Sequence, residues 1–422
     1  MTEHQTMSDR DNPMSDTDSV STTDDTTEIT TTVSAPETAP DAAPDGAAES
    51  TRELPPVVAD QVDDDVAPFR PGVGGWVARG LVWALLAWVV FALPGNFLSP
   101  FELGVSDVGH ASKAAIFAII GLSLNVLIGY TGTISLGHQA FVGVGAFVSA
   151  YVVVDMGLEF WVAVPIAAAV GGVQAAVLGA ISLRLTGLYF ALVTLAYGLF
   201  AEETLFGITA FTGGEGGKNV PRPLGFEDDY TFYYLCLAFL AAVLWVDWRL
   251  MRSKGGRALQ ALRENPRVAS SYGIDVKAYT LFAFVVSGIF ASIGGALLAQ
   301  QSTFLVPKTF NFQLALIFIL MTVVGGLRNR VGVVIGSVVF ALLEEGTLVH
   351  LLHLEGILDS TIGLPAEFFG LVIGPILLLL TITLYPGGIG QQVAPIAQWL
   401  RGKKFDLHAG KVTEVEVTDV RA

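Results

Sequence analysis

Asn125-Val-Leu-Ile-Gly-Tyr-Thr-Gly-Thr-Ile-Ser-Leu-Gly-His-Gln-Ala-Phe141 starts and finishes as a membrane helix would, but its middle does not. Gly129, Gly132 and Gly137, with hydroxyls between them, interrupt the apolar run. Hydrocarbon offers no hydrogen-bond partners, so backbone freed by such a break survives only where protein or a water-filled cavity satisfies it. The pattern predicts a broken helix within a polytopic body, with His138 and Gln139 facing the interior or its cytoplasmic mouth. A lone histidine there is either a satisfied structural residue or a group that contacts a ligand. The residues leave both readings open.

Outward from that stretch the body stays apolar. Of 422 residues, 52% are hydrophobic and 15% charged, against about 25% charged in a soluble domain. A helix needs about 20 apolar residues to cross about 30 Å of hydrocarbon. Residues 77–95, 111–130, 139–155, 160–182, 187–206, 230–251, 279–301, 311–327, 331–351 and 366–386 meet or approach this. The third and eighth are short enough to be tilted, broken or re-entrant. The expected fold is an all-α polytopic membrane protein of about ten transmembrane helices, occupying residues 71–395.

Orientation follows from basic residues in short loops. Residues 249–277 carry Arg249, Arg252, Lys254, Arg257, Arg263, Arg267 and Lys277 against only Glu264 and Asp275, so loop 252–277 is placed inside. Counting from that anchor, Arg184, the Arg328/Arg330 pair and the Arg401–Lys404 cluster also fall inside. The acidic loops (Glu102 and Asp107, Asp155 and Glu159, Glu227–Asp229, Glu355 and Asp359) fall outside. One arrangement with both termini cytoplasmic satisfies every loop.

The ends differ from the body. Residues 1–70 hold 17 Asp/Glu and three Lys/Arg, which is −14 of the chain's −16 and leaves −2 for residues 71–422. Rich in Ser, Thr, Asp, Ala and Pro, this tail has too little apolar surface to offset its ordering entropy and is expected to be disordered. It has no apolar run near its start, so no secretory signal is expected. Its acidity suggests a high-salt prokaryote. Residues 396–422 read as a cytoplasmic tail. Cys236, the single cysteine, lies in an apolar run and excludes an intrachain disulfide or a Cys-based zinc site.

What is missing narrows the function. The nearest approach to a phosphate-binding loop, Thr212-Gly-Gly-Glu-Gly-Gly-Lys218-Asn219, has Thr for the first glycine and Asn for the metal-ligating hydroxyl. It also falls outside. No H-E-x-x-H, Cys/His cluster or nucleophile elbow occurs, so no enzyme and no metal site are expected. Ion-coupled carriers need ionisable groups at membrane depth, and the spans 114–130, 279–301 and 311–327 contain none. Glu202–Glu203 and Glu344–Glu345 are exceptions in outer thirds, either lining an external vestibule or marking helix ends. An ion-coupled secondary carrier or channel for a small polar solute stays as the alternative, with a membrane scaffold or receptor behind it.

Within loop 252–277, Arg257-Ala-Leu-Gln-Ala-Leu-Arg-Glu-Asn265 reads as an amphipathic helix. Ala258, Leu259 and Leu262 share one side; Arg257, Gln260, Arg263 and Glu264 share the other. Pro266 permits a second helical turn and Gly273 is a C-cap candidate. Two short helices on the membrane face suit docking of another subunit, with the apolar stripe in its groove. A basic loop that only sets topology is the rival reading.

Gly129–Phe141, Leu183-Arg-Leu-Thr-Gly-Leu-Tyr-Phe-Ala-Leu-Val-Thr-Leu-Ala-Tyr-Gly198, Thr212–Gly217, Arg257–Glu264 with Gly273-Ile274, and Val323-Val-Gly-Gly-Leu327 occur in an order that resembles the LivM-type permeases of branched-chain amino-acid ABC importers. The likeness covers roughly residues 110–390. Thr133 stands where that family usually has Gln, Gln139 where a small residue is usual, and Leu199 where Glu often follows. Ala269-Ser-Ser-Tyr-Gly273 replaces an obvious Glu-Ala-Ala. The resemblance implies a channel-forming permease subunit of the cell membrane working by alternating access. It also implies a second homologous permease, two cytoplasmic ATPases that bind the ATP, and an external substrate-binding protein. Nucleic acid and a cofactor of its own are not expected. Candidate pathway residues are Asn125, Ser135, His138, Gln139 and Thr194; candidate ATPase-coupling residues are Arg257, Leu259, Leu262, Arg263, Glu264 and Gly273.

Overall fold

A computed structural model describes residues 73–91, 105–182, 185, 187–302, 304–344 and 387–400, with isolated positions between 376 and 384. The tail 1–70 with its high-salt reading, Arg184, Glu345, Glu355, Asp359, most of span 366–386 and everything beyond residue 400 lie outside the described residues.

The described chain is helical: α1 (Val73–Phe91), α2 (Val105–Leu124), α3 (His138–Ala150), α4 (Phe160–Ser182), α5 (Leu188–Phe200), α6 (Asp229–Arg252), α7 (Lys254–Glu264), α8 (Pro266–Ser271), α9 (Val276–Gln301), α10 (Phe312–Gly325), α11 (Arg330–Glu344) and α12 (Gly388–Leu400). Three of them, α2, α3 and α5, run on into five-residue π-helical turns at Asn125–Gly129, Tyr151–Asp155 and Ala201–Leu205. Six helical stretches among the described residues are long and apolar enough to cross a membrane: 108–129, 138–155, 160–182, 188–205, 229–252 and 276–301. The expected eighth span is α10, whose 14 residues rise only about 21 Å. The boundary expected at residue 395 falls inside α12, which packs back on α11.

Local chemistry sets several helix starts. The side chains of Ser253, Asn265, Asp275 and Asn311 each accept a backbone N–H from the first turn of α7, α8, α9 and α10. Pro266 occupies the first position of α8, where its missing N–H costs nothing.

In lipid, helices associate through close packing rather than by excluding water, which favours small residues at crossings. The crossings of α9 with α3 and α4 are built this way. A Cβ on Gly295 would stand 2.0 Å from the Val142 carbonyl oxygen, and one on Gly145 would stand 2.4 Å from Ser292 Cα. Around these crossings lies an aromatic core, with Phe147 edge-on to Phe310 at 5.5 Å and Phe141 edge-on to Phe284 at 5.5 Å. α2 is buried along nearly its whole length, whereas α4, α5 and α6 turn Val173, Leu188 and Trp245 outward.

Hydrogen bonds gather the loops into two sets. One joins the turn after α2, the end of α6, α7 and the turn between α10 and α11. The other joins the ends of α3 and α5, the loop 207–228 and the segment 302–312. Among the described residues, these sets hold together loops that the charge reading puts on the same side. The sidedness itself rests on the basic residues.

Candidate functional site

The interruption lies where the glycines put it. Residues 132–137 are non-helical between the π-turn Asn125–Gly129 and α3, and Gly132 has φ +74°. α5 holds this segment. The Leu136 N–H donates to Thr194 Oγ1 at 3.0 Å, while that hydroxyl donates to Ala191 O at 2.8 Å. Gly137 fits flush on α5, because a Cβ there would come 1.9 Å from the Thr194 carbonyl oxygen.

Four of the candidate pathway residues meet here. Ser135, Gln139 and Thr194 are fully buried and His138 is 1% exposed. His138 Nε2 lies 2.7 Å from Ser123 Oγ. Ser123 Oγ also lies 2.6 Å from Ile120 O, so its one hydroxyl proton is shared between two possible acceptors. His138 Nδ1, Ser135 Oγ and both amide atoms of Gln139 have no hydrogen-bond partner. Buried polar atoms are nearly always satisfied. Ser135, His138 and Gln139 thus place polar atoms side by side on and just after the broken backbone.

Asn125 has a different environment. Its Oδ1 accepts the N–H of Arg328 at 2.8 Å, and Arg328 is the one non-glycine residue with positive φ, +71°, among the described residues. Asn125 thereby fastens the start of the π-turn to the strained turn between α10 and α11.

α7 lies against this same end. Ala258, Leu259 and Leu262 are buried in this chain's own core, so the stripe expected to enter an ATPase groove is already occupied. An amphipathic pattern tells that one face is covered and is silent about what covers it. The outward face carries Arg257, Gln260 and Glu264, continued in α8 and its exit by Arg267, Val268, Tyr272 and Gly273. Gly273 has φ +79° and open space around it, as a helix-ending glycine should. Arg263 turns inward: one guanidinium nitrogen donates to Ile128 O at 2.7 Å and to Gly129 O. Burial, with Arg328 nearby, lowers its pKa from the usual arginine value. Glu264 pairs with Arg328 at 3.0 Å on the surface.

The sequence reading passed over a buried charge beside this site. Asp247, in α6, is fully buried and accepts from the Tyr130 hydroxyl at 3.0 Å and from Arg330 Nε. The signal was an aspartate in Trp245-Val-Asp-Trp248 within an apolar span, which is an expensive placement without a partner. In sequence, Arg330 signals only orientation.

At the opposite end, Glu202 and Glu203 line a cleft of about 490 Å³ with Glu215, Lys308 and Asn311. Glu202 Oε2 also accepts the Phe312 N–H at 3.0 Å, so it both lines this cleft and meets the first turn of α10. Lys218, in the stretch that most resembled a phosphate loop, is buried, ion-paired with Asp155 and bridged through its backbone to Leu305. Among the described residues no group of His, Cys, Asp and Glu is arranged to hold a metal.

Residues 108–381 match the family model described as branched-chain amino acid transport system / permease component. The chain is 31% identical over 303 residues to the high-affinity branched-chain amino acid transport system permease protein LivM of Salmonella typhimurium, covering 65% of this chain and 70% of that one. It is 31% identical over 274 residues to the protein of the same description in Escherichia coli, covering 58% and 64%. Among solved structures, PsaBC from Streptococcus pneumoniae in complex with Fab aligns at 14% identity over 70% of this chain and 96% of that one, with a TM-score of 0.37, too low to bear on the site.

Proposed function

The chain belongs to the permease-component family of branched-chain amino acid transport systems, and from that premise we propose that it forms half of the translocation pathway of an ATP-driven importer. Its cargo is a branched-chain or related amino acid. A second homologous permease supplies the other half, two cytoplasmic ATPases bind and hydrolyse ATP, and an external binding protein delivers cargo at the Glu202–Glu203 end. This chain hydrolyses nothing and carries no cofactor of its own. It is a multi-pass protein of the cell membrane.

One observation carries this reading beyond family membership. The polar residues Ser135, His138 and Gln139 sit on and just after broken backbone, and the π-turn that leads into that break is bonded to a short helix on the basic face. A proton-driven carrier needs an ionisable group free to titrate at membrane depth, whereas sodium can be held by carbonyls and hydroxyls alone. Here the buried carboxylate close by, Asp247, is taken by Arg330 and Tyr130. The polar cluster is a route for solute, and the helix is the handle by which a cytoplasmic motor opens it.

The test is radiolabelled leucine uptake into proteoliposomes. The complete complex, with binding protein and ATP on the ATPase side, should accumulate leucine and hydrolyse ATP faster when leucine is present. The chain alone should accumulate none under an inward sodium or proton gradient. Gradient-driven uptake by the chain alone would replace this reading with the secondary-carrier one.

A further inference from the structure

We propose that Arg263 is the positioning residue through which movement of α7 reaches the interrupted segment 132–137. This rests on the importer reading, in which α7 and α8 receive the ATPase stroke.

The carbonyls at the end of a helix lack intrahelical partners, and a cation there is favoured by the helix dipole. The π-turn Asn125–Gly129 lies in the last stretch of helix before the break, and Arg263 supplies a cation and N–H donors to Ile128 O and Gly129 O. Ile128 O additionally accepts the Gly132 N–H at 3.2 Å, so the same oxygen joins Arg263 to the first residue of the break. The stem of Arg263 follows the chain onward: its Cγ is the atom closest to where a Cβ on Gly132 would stand, at 3.9 Å. One side chain of α7 thus grips the last turn before the break and lies along its first glycine.

Other links between α7 and this region differ in kind. Leu259 and Leu262 pack non-directionally into the core, so they hold α7 in place without gripping any one turn. Glu264 reaches Arg328 through an exposed ion pair, and exposed pairs are worth little. Arg263 alone among the described bonds of α7 grips the backbone of the π-turn, with one guanidinium nitrogen on two successive carbonyls. Beyond the break, the Leu136–Thr194 bond and the flush seat of Gly137 carry the same displacement to α5, whose far end bears Glu202 at the outer cleft.

The experiment uses the assembled complex with Cys236→Ala and Ile134→Cys in this chain. Ile134 is half-exposed in the break, so thiol labelling there reports its movement, and vanadate trapping of nucleotide reports the ATPase stroke independently of cargo. With Arg263 present, vanadate trapping should change the labelling rate at position 134 at least fivefold. Arg263→Met, which keeps the stem and removes the donors, should trap nucleotide normally yet lose most of that change. Arg263→Lys, with donors but no fork, should recover part of it. If both variants keep the full change, the inference is overturned. If Arg263→Met fails to assemble, Arg263→Lys decides: an unaltered change overturns the inference and a reduced one upholds it. If the parent complex recruits no ATPase or traps no nucleotide, the importer reading fails instead, and this inference with it.

Discussion

The Tyr130 hydroxyl donates to Asp247 across 117 positions of sequence, at 3.0 Å, on the carboxylate oxygen that Arg330 also reaches. Tyr130 directly follows the π-turn, Asp247 lies in α6 and Arg330 starts α11. Three helices that no local rule would bring together are thus pinned at one end of the protein, beside the break. Removing one partner from a buried pair strands the other charge, at a cost of about 3–5 kcal/mol.

That arrangement predicts Asp247→Ala to be among the most damaging single substitutions in the body, lowering stability in detergent by about 3 kcal/mol. Asp247→Leu combined with Arg330→Met should recover much of the loss, since no charge is then left buried. Thermal midpoints of the purified chain measure both. A double variant no better than Asp247→Ala would show that the pair does not act as a pair.

Gly137→Ala should disrupt the seat of the broken segment on α5, because its Cβ would overlap the Thr194 carbonyl. The expected outcome is inserted protein with transport reduced at least tenfold. Gly80→Ala provides the contrast: nothing lies within 4 Å of its Cβ, and alanine suits a helix better than glycine by about 1 kcal/mol. Transport by that variant should be unchanged. Equal activities for the two would refute the tight seat.

The burial of α7 sorts its residues into two classes. Leu262→Ala should destabilise the chain by itself, by about 2–5 kcal/mol, as truncations of buried leucine do. Tyr272→Ala and Val268→Ala should leave the isolated chain unaffected, since these side chains are 81% and 49% exposed, yet weaken ATPase association. Measuring melting of the chain alone beside co-purification of the ATPases separates the classes. Tyr272 and Val268 variants that bind the ATPases normally would move the docking surface elsewhere.

Sidedness is tested by cysteines at Ser253 and Asp228 in a Cys236→Ala background. Both positions are exposed and lie at opposite ends of α6. A membrane-impermeant thiol reagent should label position 228 from outside and position 253 only after the cytoplasmic face is opened. The converse pattern would invert the whole arrangement.

What the sequence determined alone are the properties that a bilayer imposes locally: apolar run lengths, the glycine-marked break at 129–137, and the partition of loops by charge. Each depends on residues close together in the chain, because hydrocarbon thickness, missing backbone partners and basic flanks act on one segment at a time. Tertiary structure decided which face of α7 is covered, that Arg263 points to Ile128 and Gly129 rather than outward, and that Asp247 is neutralised by Arg330. These outcomes join residues 135, 134 and 83 positions apart. An amphipathic stripe, a basic loop and an apolar span read the same in sequence whatever packs against them. The choice among partners is made only when the helices cross and every buried donor, acceptor and charge competes for the few groups within reach.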